Sequence, residues 1–283
     1  VKKFTQDEMQ AFAELMSTAL SSPDGMQAIA AAVQPAILEQ IQTKEIASLL
    51  YTRHVLPVGE IPRYQKVKEI EAFWVSDGGE AREFGIGKDE VEPPIERVHT
   101  EPVIDKSTLK HGNIGSLQDM QINAGLAIQK RIDQLAVQTM SAAVLGANTI
   151  TCSGGKLTEV ALNQALSILE DLELTPKWIV MRGARFNDIR SWTSLDNITQ
   201  NELRTKGVLK NWGTASILTT SAAALAEILV IPEEEVGKMP VREELLVEPV
   251  NLVERFKAGF LAWSELGFCV TRPDLIVKIN VTA

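Results

Sequence analysis

Gly85, Gly87 and Lys88, within GGEAREFGIGKD (residues 78–89), have a spacing close to that of a phosphate-binding loop. Such a loop reads G-x-x-x-x-G-K-[ST], because its glycines let backbone N–H groups wrap a phosphate and its hydroxyl holds the metal ion. Here Arg82 occupies the first glycine position, and Asp89 stands where the hydroxyl belongs and would repel phosphate. A dinucleotide-binding turn fails too: Glu90 replaces the third glycine, and no buried strand leads into the stretch. The glycines suit a chain reversal with positive φ.

The remaining reactive residues do not assemble into a motif. His54, His99 and His111 lack the H-x-x-x-H or H-E-x-x-H spacing that puts two ligands on one helix face. Ser153, Ser191 and Ser264 stand outside any G-x-S-x-G elbow. Glu170/Asp171 and Glu233–Glu235 could form a carboxylate site, but read better as exposed acidic faces. Cys152 and Cys269 have no C-x-x-C partner, so buried reduced thiols are expected, not a disulfide framework or zinc site. No catalytic residue, metal or cofactor is expected. One basic concentration stands out: Lys177, Arg182, Arg185 and Arg190, followed by Arg204, Lys206 and Lys210. It could touch phosphates weakly or pair with carboxylates of a neighbouring subunit. The second reading is preferred because aromatic residues for base stacking are sparse.

The elements that must carry these residues follow from composition and periodicity. With 283 residues, 45% hydrophobic and 23% charged, the chain is long enough for one large domain or two modest ones. A formal charge of −9 is the reverse of what a dedicated nucleic-acid binder needs. No apolar run approaches the roughly 20 residues of a membrane span, and VKKFTQDEMQ turns polar where a signal peptide has its apolar core. The capping pattern Thr5-Gln-Asp-Glu8 predicts a helix over residues 1–20. A second helical stretch, Met26 to Leu50, should be kinked or divided at Pro35. RYQKVKEIEAFWVS predicts an extended segment with no strongly apolar face, with the proline-rich EPPIERVHTEPVI as its partner and the glycine stretch between. Such a polar ribbon is marginal alone and should rest on something outside its own domain.

From Ser116 to Leu145, apolar residues recur every three or four positions, including Ala124, Ile128, Ile132, Ala136 and Met140. That predicts one helix about 45 Å long. A helix from Thr158 to Leu172, the strand KWIVM and a helix at ARFNDIRSW make a local α/β arrangement. Residues 194–238 read as a separate lobe, and PVREELLVEPV, RFKAGFLAW, GFCVT and LIVKINV as β segments returning to the earlier sheet.

This order of parts resembles the major capsid proteins of tailed double-stranded DNA bacteriophages, the Hong Kong ninety-seven fold family, over almost the whole chain. KVKEIEAFWVSDGG and IERVHTEPVIDKSTLKHGNI flank what looks like the family's extended loop, and SLQDMQINAGLAIQKRIDQLAVQTMSAAVLG looks like its spine helix. ELTPKWIVMRGARFNDIRSW is similar to the peripheral-domain strand and helix, and VGKMPVREELLVEPV with RFKAGFLAWSELGFCVTRPD resembles the C-terminal return.

The resemblance implies an α+β fold with an N-terminal arm (1–56) and an extended β-hairpin loop (57–105). A peripheral domain with the spine helix (106–193), an axial domain (194–238) and a C-terminal return to the peripheral domain (239–283) complete it. It further implies a non-enzymatic shell protein that forms hexamers and pentamers around packaged double-stranded DNA. Its partners would be copies of itself, a portal protein, scaffolding and decoration proteins, and weakly held DNA, with no membrane. Its place would be the virion, after assembly in the host cytoplasm. Lys66, Lys68, Trp74, Arg82, Phe84, Lys88, Arg185 and Arg190 are the candidate intersubunit contacts. The alternatives are an encapsulin-like nanocompartment around a cargo enzyme, and a soluble α/β enzyme with its site near KWIVMRGAR.

Overall fold

The computed structural model describes residues 45–57, 59–66, 90–105, 107, 114–192 and 211–282, with Gln27, Ala30, Ala31, Gln34, Pro35, Ile37, Leu38 and Ile41 before them. The helix expected over residues 1–20 and the glycine stretch 78–89 lie outside the described residues. The chain divides into two compact units.

The first unit comprises Val1–Leu49, Ile95–Asp133 and Val241–Gly267. Gln34, Pro35 and Ile37 are all helical, so the chain is not divided at Pro35; the described interruption comes at Glu45 and Ile46, before the short helix α1 (Ala47–Leu50). Helix α2 (Ile114–Ala143) begins in this unit, against an expected Ser116–Leu145. Ala124, Ile128 and Ile132 are buried along it, the 3.6-residue stripe that the sequence presents.

The long strand β11 (Gly237–Leu252) pairs antiparallel with β12 (Lys257–Leu266). Every second residue of β12 is buried, from Ala258 through Phe260, Ala262 and Ser264 to Leu266, so one face of the sheet is core. Strands β4 (Glu96–Thr100) and β5 (Val103–Asp105) add to the other side of β12. This corrects the expected ribbon: IERVHTEPVI pairs with β12, and among the described residues of RYQKVK, Tyr64 and Gln65 pair with Val91 and Glu90. Pro93 and Pro94 lack the N–H groups that would continue a ladder there, and Val98 finds a buried place beside β12.

The second unit comprises Leu50–Pro94, Gln134–Pro240 and Phe268–Ala283. Its sheet has the order β6-β14-β10-β7-β9-β8, from β6 (Thr149–Cys152), β7 (Pro176–Met181), β8 (Asn211–Trp212), β9 (Ala215–Thr219), β10 (Glu227–Pro232) and β14 (Val277–Val281). The pairs β7/β9 and β14/β6 are parallel, while β10/β7, β10/β14 and β8/β9 are antiparallel. Ile179–Met181 and Ile228–Ile231 are buried without alternation, as strands covered on both faces require.

Helix α3 (Glu159–Asp171) covers this sheet with Leu162, Ala165 and Leu169. Its first turn is capped by the Thr158 hydroxyl, which accepts from the Ala161 N–H at 3.3 Å. Helix α4 (Gly183–Arg190) adds Phe186 and Ile189 to the same core. Residues 211–238 therefore do not form a lobe apart from KWIVM, because β8, β9 and β10 complete its sheet. Of the returning segments, LIVKINV joins that sheet as β14, whereas PVREELLVEPV and RFKAGFLAW form the β11/β12 pair.

Candidate functional site

Among the described residues the candidate site is the set of surfaces through which the chain can meet other molecules. The loop base is built from β1 (Thr52–Val55), β2 (Tyr64–Gln65) and β3 (Glu90–Val91). Tyr64 lies opposite Val91, and Gln65 opposite Glu90. The pair is held from its ends: Arg63 Nε meets Glu92 Oε1 at 2.8 Å on the surface, and the buried Tyr64 hydroxyl is hydrogen-bonded to His54 Nδ1 at 2.8 Å. The Lys238 ammonium lies over the Tyr64 ring, 5.8 Å from its centre. Burial first, then the Cys269 thiol and Glu60, push the Tyr64 hydroxyl up to about 12, so it stays protonated at neutral pH.

Lys66 is exposed where the ribbon leaves this base, and its charge partly offsets the upward push that burial gives the Cys269 thiol. Lys68, Trp74, Arg82, Phe84 and Lys88 lie outside the described residues.

The basic concentration separates into different roles. Arg185 is tied down inside its own unit: Nε donates to the Leu225 carbonyl at 2.7 Å, and Nη1 to the Gly155 carbonyl at 2.7 Å and to Asp188 at 3.1 Å. Asp188 Oδ2 also accepts the Leu157 N–H at 3.0 Å, so the Arg185/Asp188 pair clasps the α3 and α4 connections. Arg190 is exposed, stacked over Phe186 at 4.8 Å and donating to Asn187. Lys177 pairs with Glu233 at 3.2 Å, and Arg182 is exposed at the start of α4. Arg204, Lys206 and Lys210 fall outside the described residues.

The groups weighed for catalysis are scattered. His99 is exposed on β4 opposite Trp263, and His111 is outside the described residues. Ser191 Oγ donates to the Asp188 carbonyl within its own turn and Ser264 Oγ to the Glu243 carbonyl across the β11/β12 pair, while Ser153 is exposed. Glu170, Asp171 and Glu233–Glu235 are exposed. Cys152 and Cys269 are buried and free. Among the described residues, no three His, Cys, Asp or Glu stand together as a metal site, and no helix is long and apolar enough to cross a membrane.

Two residues escape sequence reasoning. Asp133, buried within α2, accepts the Ile46 and Ala47 N–H groups at 2.9 and 3.0 Å and is hydrogen-bonded by the Gln129 amide. Its only signal was an acid on the apolar stripe, one position after Ile132. Phe256 stands at the β11/β12 turn with φ 52° and is 77% exposed, although RFKAGFLAW reads as a strand throughout. A bulky residue where the turn favours glycine was its signal.

With this arrangement fixed, the chain can be compared with known proteins. No protein-family model matches it, and no curated protein sequence matches it. Solved structures do. A chain of Microbacterium phage Oxtober96 superposes with a TM-score of 0.65 at 14% identity, covering 84% of this chain and 91% of that one. The capsid of cyanophage P-SCSP1u gives 0.62 at 15% identity over 82% and 86%. A virus-like particle from Pyrococcus furiosus gives 0.59 at 15% identity over 88% and 98%. The fold is the Hong Kong ninety-seven capsid fold. Helix α2 occupies the place in the chain order expected of the spine helix.

Proposed function

We propose that this chain is a major capsid protein: copies assemble into hexamers and pentamers that close an icosahedral shell around packaged double-stranded DNA. The observation that supports the reading is the extent of the fold match, which takes in most of this chain and most of each matched chain.

In this reading the loop, residues 57–105, lies across a neighbouring copy, and Lys66, Lys68, Trp74, Arg82, Phe84 and Lys88 supply contacts there. Arg190 contributes from α4, and Arg185 serves its own subunit. A portal protein closes one vertex, scaffolding and decoration proteins act during and after assembly in the host cytoplasm, and the finished shell is the virion head. The charge of −9 suits a container that holds DNA loosely and does not bind it tightly.

Negative-stain electron microscopy of the purified full chain tests the reading. Closed particles of uniform diameter are the expected result; a monodisperse monomer under every assembly condition would overturn it. Particles that copurify with a protein cargo and no DNA would replace the genome container with a cargo compartment.

A further inference from the structure

We infer that Phe256, at the tip of the β11/β12 hairpin, is an anchor that docks onto a second copy of this chain. The inference rests on the shell reading above and adds to it a specific contact residue. Strand β11 ends at Leu252 opposite Lys257, which leaves four residues to reverse the chain. Val253–Arg255 form one 3-10 turn, and Phe256 closes the loop with φ 52°. At this left-handed position glycine fits without cost and asparagine is tolerated, whereas an aromatic side chain crowds its own backbone.

The strain gains nothing inside the subunit. Phe256 is 77% exposed, so its ring lies mostly in water at the turn between β11 and β12, where β5 flanks β12 as far as Lys257. A residue that local geometry disfavours and its own core does not use is accounted for by a contact made elsewhere, and aromatic side chains are the usual anchors of interfaces. Charge indicates the partner. Exposed Glu254 and Arg255 flank the ring, with Lys257 beyond it, so both signs are present within four residues. Copies of such a tip can match acid to base around a symmetry axis, whereas DNA would meet Glu254 as a repulsive charge.

The test is Phe256→Gly in the full chain, measured by thermal unfolding and by particle yield, with Phe256→Trp beside it. The glycine variant is expected to unfold at the wild-type temperature or about 2 °C higher. Its yield of closed particles should drop about tenfold or more, and the tryptophan variant should keep most of the yield. Wild-type yield from Phe256→Gly would overturn the inference while leaving the shell reading intact. An unfolding temperature lowered as by a core truncation would also overturn it, by placing the ring inside its own subunit. Failure of the wild type itself to form particles would remove the shell reading, and this inference with it.

Discussion

Asp133 brings the chain before β1 onto the spine helix through a carboxylate that has left water. Burial raises its pKa, and the N–H donors of Ala47 and Ile46 and the Gln129 amide pull the other way without cancelling the rise. A raised value means that the native protein holds the proton more tightly than the unfolded chain. The contribution is therefore full below the ordinary carboxylate range and lost as pH rises through the raised value. Asp133→Asn keeps the acceptor without the titration. We expect the wild type to gain unfolding temperature relative to this variant as pH falls from 7 to 4; a difference constant with pH would contradict the assignment. Asp133→Ala leaves two N–H groups unpaired and should cost about 2–4 kcal/mol. Gly259 is a steric counterpart. A Cβ there would overlap the Pro102 carbonyl oxygen and come within 2.9 Å of Val103 Cα. Gly259→Ala should cost about 3 kcal/mol or more, read from the denaturation midpoint, since backbone cannot yield as a side-chain end can.

At the scale of elements, helix and ribbon differ in where their stability comes from. Helix α2 satisfies its own backbone and buries one stripe, a local pattern, so its extent was legible to within two residues at each end. The ribbon at β2 and β3 has two paired residues on each strand and little apolar surface to bury, and such a pair is marginal alone. Its function therefore separates from the fold of the subunit. Replacing residues 67–89 by a short Gly-Ser turn should leave the unfolding temperature of the isolated subunit within about 2 °C of wild type. It should also abolish closed particles. Normal particles from this deletion, assembled in the same way as wild type, would refute the overlapping loop. The strand reading was less successful because period-two alternation fixes a face but not a partner. IERVHTEPVI was correctly extended and wrongly paired, and RFKAGFLAW concealed a turn because Phe256 occupies a site where Gly would have announced it.

For the whole molecule, the sheet order β6-β14-β10-β7-β9-β8 joins strands from residues 149–152 to residues 277–281, and brings the described residues 211–232 into one sheet with KWIVM. The amphipathic long helix, the helix after Thr158 and the buried thiols were all decided by the sequence itself, because each depends on residues within a few positions of one another or on composition. So was the order of parts that resembles a capsid chain. Which strands meet, that Arg185 is consumed by the Leu225 and Gly155 carbonyls, and that Asp133 is buried against residues 86 and 87 positions away were decided only in three dimensions. The reason is physical: hydrogen-bond partners of strands, arginines and buried acids are chosen by long-range packing, and the free energy that selects them is absent until the core has closed.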